Sequence, residues 1–239
     1  MILNSLMVVR IAICIVLVSV QVSAAQNDAR SSRNWEAEQL KDVYIYADDI
    51  TSFFAELSLT YGIPIGLEVA TNEYHLTRYS VDFKKGTLAE LLTQFVKQNS
   101  LYDWKVVDGV VNVFPKEGYR DFVTREFLAT TVERFSVKER TSCWNLIGSL
   151  ATQPETKRIL DAHKTTYTHP DPSGFYIQNV GRSFKLDVSD ITVKSILNNV
   201  VGKSVTAKLW VISRRDDKTL FIDLRALHED SIGKGWKLP

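Results

Sequence analysis

The residues of this chain best suited to chemistry lie in one short stretch. His163, His169 and Asp171 are close in sequence, with Asp161 nearby. Two imidazole nitrogens and a carboxylate could hold a divalent metal. Their spacing matches no familiar metal-ligand pattern, and Thr165 to Gly174 carries Pro170, Pro172 and Gly174, so a solvated loop is the expected context. Asp48 and Asp49 are adjacent carboxylates, but they precede an apolar helical stripe and suit its N-terminus. Asp82 and Asp187 recur at one position just before a helix and are read as turn residues. No Gly-rich phosphate loop, serine nucleophile elbow or thiol–histidine pair is present. Cys143, beside Trp144 in an apolar helical pattern, is expected to be a buried structural thiol. No catalytic residue, no cofactor and no metal site is therefore expected; His163, His169 and Asp171 stand as the alternative.

The elements that would position these residues follow a repeated order. Val43 to Tyr46 predicts a strand, and Ile50, Phe53, Phe54, Leu57 and Tyr61 fall at helical spacing up to a Gly62 C-cap. Ile63 to Val69 returns as a strand, and Pro64 places its start at a sheet edge. Leu76 to Phe83 is the next strand. Thr87 and Glu90 are spaced as a capping box before Leu88, Leu91, Leu92, Phe95 and Val96. Asp108-Gly109 between β-rich runs predicts a two-residue hairpin ending at Pro115.

The stretch Val81 to Val96 then comes back. Leu186 to Val201 aligns with it without a gap, Asp187 standing 105 residues after Asp82. Phe127 to Val137 predicts a strand, and Thr141 caps a helix through Cys143, Leu146, Ile147 and Leu150. Lys157 to His163 adds helical turns, and Phe175 to Val180 and Phe184 to Val188 are strands. A hairpin from Lys208 to Leu224 follows. Its Trp210 is one residue out of register with Trp104. The expected class is α+β: two small modules, each approximately β-α-β-β-α-β-β with two helices packed on small sheets.

Length and charge bound the rest. The chain has 239 residues, 29 basic and 28 acidic, with a net charge of +1. Residues 1–25 read as a secretory signal peptide: Arg10, the apolar run Ile11 to Val22, then small residues around Ala24. The other reading is an uncleaved N-terminal anchor. Cys14 follows Ile13, where a lipobox needs a small residue, so lipidation there is not expected. Without Arg10 the charge is near zero, which leaves no electrostatic footprint for nucleic acid. No integral membrane span is expected after leader removal. The expected segments are a signal peptide (1–25), a flexible lead-in (26–40), a first module (41–116), a diverged second module (122–228) and a polar tail (229–239).

The first module resembles the secretin/TonB short N-terminal (STN) domain family. The likeness is carried by Tyr61-Gly62-Ile63 at a helix end, by Thr87-Leu88 with Leu91-Leu92, and by the hairpin from Val106 through Asp108-Gly109 to Val113. It covers about Val43 to Phe114. The second half looks like a diverged copy, clearest from Phe184 to Leu224. The resemblance implies a bacterial envelope module used for protein–protein contact. No outer-membrane barrel pattern follows it, so channel and receptor functions are not carried over.

The expectation is thus a non-catalytic periplasmic or secreted protein serving a secretion, pilus or uptake-signalling assembly. Its partner would be an envelope protein, bound by strand addition or on a helix face. Self-association into a chain or ring is a further reading. The alternative is a periplasmic hydrolase or ligand-binding protein with a site in the cleft between the modules, using His163, His169 and Asp171.

Overall fold

A computed structural model describes residues 33–71, 78–138, 141–169 and 184–226. The class is α+β, with six α-helices and ten strands among the described residues. The first half runs β1 (Gln39–Ala47), α1 (Ile50–Tyr61), β2 (Ile65–Glu68), β3 (Tyr79–Thr87), α2 (Leu88–Gln98), β4 (Tyr102–Val107) and β5 (Val110–Pro115). After a short 3-10 turn at Glu117–Tyr119 and helix α3 (Phe122–Ala129) comes the second half. It runs β6 (Thr131–Val137), α4 (Cys143–Ala151), α5 (Pro154–Ala162), β7 (Thr166–Thr168), β8 (Leu186–Thr192), α6 (Val193–Lys203), β9 (Ala207–Asp216) and β10 (Thr219–Ala226).

The two halves are wired alike. β1 pairs antiparallel with β3, as β6 does with β8. β2 runs parallel to β5, as β7 does to β10. β4 and β5 form an antiparallel hairpin, as β9 and β10 do. Thr87 and Thr192 are both N-caps, each accepting a backbone N–H at 3.2 Å, from Glu90 and Ser195 respectively. In the first copy Glu90 completes the capping box by accepting the Thr87 N–H at 2.7 Å. Asp108 and Gly109 take φ of 55° and 71°, as a two-residue hairpin turn requires. The two ribbons also share a broken alternation: Leu40, Val43 and Ile45 are buried in β1, and Val132, Phe135 and Val137 in β6.

The halves also share a sheet. β2 lies parallel to β9, pairing Ile65 with Leu209, Gly66 with Trp210, Leu67 with Val211 and Glu68 with Ile212. The result is one six-stranded sheet in the order β4-β5-β2-β9-β10-β7. Because β9 is parallel to β2, each strand of the second triplet runs opposite to its counterpart. Side chains alternate along β9, and the alternation divides it between the two cores. Leu209 and Val211 pack with Phe53, Leu57, Leu91 and Phe95. Trp210 and Ile212 pack with Leu146, Ile196 and Leu197, and with Ile222 and Leu224 of β10. The helices of the two halves therefore cover opposite faces of the sheet. Each fully buried leucine on α2 contributes roughly 1.5–3 kcal/mol of transfer free energy.

The slip between Trp104 and Trp210 has a local cause. Ala226 pairs with Ala207 and Arg225 with Leu209, so Lys208 is an extra residue in β9. The bulged carbonyl is not idle: the Ser58 hydroxyl on α1 donates to Lys208 O at 2.8 Å. After the bulge, Trp104 and Trp210 each face the core of their own half.

Several expectations need correction. β2 is not at an edge: it sits inside the sheet between β5 and β9. Pro64 lies one residue ahead of the strand, where no ladder bond needs its missing N–H, and its carbonyl accepts the Val111 N–H at 3.0 Å. Phe127 to Ala129 are helical, in α3, whose cap Asp121 accepts the Thr124 N–H at 2.6 Å. Ser142, not Thr141, caps α4. Part of the expected lead-in is built into the fold, since Trp35 is buried and β1 starts at Gln39. The left-handed Asp42, at φ 51°, breaks the alternation that marks the start of β1. The strand expected at Phe175 to Val180 lies outside the described residues, as does the tail from His228.

Candidate functional site

The residues expected to do chemistry do not converge. His163 caps the C-terminus of α5, and its Nε2 lies 2.7 Å from the Glu126 carboxylate on α3. Its ring meets Phe122 edge-on, with centroids 5.7 Å apart. His169 has different neighbours: its ring packs beside Trp144 on α4 and Tyr167 on β7. Asp171 lies outside the described residues. Asp161 pairs with Lys157 at 2.6 Å along one face of α5. Among the described residues no group of three His, Cys, Asp or Glu side chains is placed to hold a metal ion.

The other carboxylates have structural work. Asp49 caps α1, accepting the Ser52 N–H at 2.7 Å. Asp82 and Asp187 are not turn residues. They stand within β3 and near the start of β8, on the exposed sides of the ribbons, opposite Tyr44 and Ser136, and pair with Lys84 and Arg134. Just before a helix is where they fall in sequence, but β3 and β8 run on to the capping threonines themselves.

Cys143 is buried at the start of α4, and burial pushes its thiol from an ordinary 9.0 up to about 12. It is a poor nucleophile at neutral pH. Burial also raises Tyr79, in the first half, from 10.0 to about 12. Both groups hold their protons more tightly folded than unfolded. Their contribution to stability is complete below the unfolded values and is lost as pH rises toward 12. Native protein at pH 8 is expected to leave Cys143 unalkylated, with labelling appearing only on unfolding. Peptide mapping after timed iodoacetamide treatment checks this, and rapid native labelling contradicts it.

Two features were not read from the sequence. The first is Glu68, at the end of β2 and only 1% exposed. Its Oε2 accepts Arg120 Nε at 2.6 Å, and its Oε1 accepts Lys194 Nζ at 2.8 Å. Arg120 comes from the link between halves and Lys194 from α6, so one buried carboxylate ties three parts of the chain. The only signal was a charge inside the apolar run Ile63 to Val69.

The second is the pair of sheet ends, β4 and β7. Just ahead of β4, Leu101 O accepts the Lys116 N–H at 2.8 Å. Antiparallel alternation then directs the backbone groups of Asp103, Lys105 and Val107 to β5, and those of Tyr102, Trp104 and Val106 outward. The Tyr102 N–H reaches Asn99 O at 3.0 Å, and the Trp104 N–H reaches the Asp103 carboxylate at 2.8 Å. The Val106 N–H is left facing outward from the sheet. Elsewhere, Tyr44 and Tyr46 on β1 are 68% and 51% exposed.

Fold and surface together define an α+β protein built from a duplicated unit, with strand edges rather than a reactive cluster on view among the described residues. Comparison with family models, curated proteins and solved structures finds no match. Among the described residues no helix is long and apolar enough to cross a membrane.

Proposed function

We propose that this is a non-catalytic exported protein of the bacterial envelope, an interaction module of the kind the STN resemblance implies. The observation that carries the reading is the doubled strand wiring, with one more helix in the second half, whose shared sheet, among the described residues, ends in a strand with one unpaired side at β4 and at β7. Exposed strand edges recruit other strands. Asp49, Thr87, Glu90 and the Glu68 carboxylate are taken up as helix caps and ion pairs, which supports it too. The alternative hydrolase reading needs a cleft between the modules. Along β2 and β9 that boundary is filled by strand pairing and by Leu209, Trp210 and Val211, all buried. The test is fractionation and crosslinking of the tagged protein in the bacterium that makes it. Recovery with the envelope, in a crosslinked species larger than itself, is the expected result. Cytoplasmic recovery, or a bare monomer at saturating crosslinker, overturns the reading.

A further inference from the structure

We propose that the β4 edge, Asp103 to Val106, is a docking site for a single extended strand of a partner protein, bound parallel to β4. This rests on the interaction-module reading and names its surface and the chemistry of its partner. The chain contains its own precedent. Beyond the bulge at Lys208, Leu209 to Ile212 of β9 correspond to Asp103 to Val106 of β4, because Trp210 matches Trp104. In the second half that edge is filled, in parallel, by Ile65 to Glu68 of β2. In the first half the same edge has no strand beside it among the described residues.

The side chains say what kind of occupant fits. Trp104 and Val106 pack against the first core and are half-buried. An added strand must therefore bring apolar residues to that face. On the opposite face Asp103 and Lys105 are exposed. Their counterparts on β9, Leu209 and Val211, are fully buried, because the neighbouring half lays its helices over them. A second copy docking as the halves dock would bury Asp103 and Lys105 against an apolar core, where an unpaired charge is heavily penalised. The charges thus exclude a whole module and admit one strand. That strand alternates: apolar residues beside Trp104 and Val106, a basic residue by Asp103 and an acidic one by Lys105.

The probe is an acetylated peptide of valines alternating with lysine and glutamate, titrated into the purified protein and followed by amide hydrogen exchange and fluorescence anisotropy. Binding is expected, with the Val106 amide protected. Of the outward donors of β4, Val106→Pro removes the one with no partner among the described residues, and no bond to β5, a placement proline tolerates on an edge strand. It is expected to keep the melting temperature and weaken binding by roughly 2- to 10-fold, the loss of one hydrogen bond to the added strand, while Val106→Thr binds as the parent does. Should Val106→Pro lose its fold, the double variant Asp103→Lys with Lys105→Glu serves instead: it should prefer a peptide with the two charges exchanged. No binding, binding indifferent to these changes, or a protein dimer that Val106→Pro dissolves would each overturn the proposal. If crosslinking in cells finds a partner whose contacts avoid β4, the edge assignment fails alone. If it finds none, the interaction-module reading fails with it.

Discussion

Glu68→Ala is expected to cost about 3 kcal/mol, the lower end of the roughly 3–5 kcal/mol range for breaking a buried ion pair. Arg120 and Lys194 would be left facing each other, and each retains about a fifth of its side-chain exposure, 22% and 20%. That residual hydration keeps the figure at the low end. Glu68→Gln should cost less, because an amide oxygen still accepts one of the two donors. Urea denaturation measures both. Since the carboxylate binds the link and α6 from a strand of the first half, probes in either half should report the loss. A change below about 0.5 kcal/mol, the usual range for surface positions, would show that the triad does not join the halves.

Gly66→Ala is expected to be comparably damaging. Glycine at this point of β2 leaves room for the indole of Trp210 across the joint; a Cβ there would stand 2.3 Å from Trp210 Cε2 and Cζ2. The indole cannot swing away cheaply. It is fully buried, and its Nε1 donates to Asn198 Oδ1 at 2.9 Å. Overpacking of this kind costs roughly 1–3 kcal/mol, and more where neighbours are pinned. Trp210→Leu alone should also destabilise, by lost packing and by leaving the Asn198 oxygen without its donor. The two changes should be non-additive. In the Gly66→Ala background, Trp210→Leu relieves the clash, so its cost should fall by at least about 1 kcal/mol in a double-mutant cycle. Additive costs would mean that the two residues do not meet.

The parts of the fold that were legible in the sequence are those written locally. The capping box of Thr87 and Glu90, the Asp108-Gly109 turn, the αL Gly62 and the repeated strand–cap–helix of α2 and α6 each depend on residues a few positions apart. The shared sheet was not legible. It depends on pairing Ile65 with Leu209, far along the chain, and segments buried on both faces, such as β2 and Leu209 to Ile212 of β9, carry no polar alternation to betray which face meets what. Pro64 misled for the same reason: its position one residue before β2 became visible only with its neighbours in place. Helix α3 was hidden by the β-branched and aromatic residues that run from Phe127 into β6, although Asp121 was a cap in waiting. At the candidate site, closeness in sequence overstated closeness in space. His163 went to Glu126, and His169 to Trp144. Glu68 went unread inside the strand expected at Ile63 to Val69, and it is the junction of three segments.

The central claim is that two copies of one wiring share a sheet and stand or fall together. Equilibrium urea unfolding followed in two single-tryptophan variants, one keeping Trp104 and the other Trp210, tests it most directly. The account predicts that within each variant the tryptophan fluorescence and the far-ultraviolet circular dichroism follow one and the same transition. Two separated transitions, one core persisting after the other has melted, would contradict it.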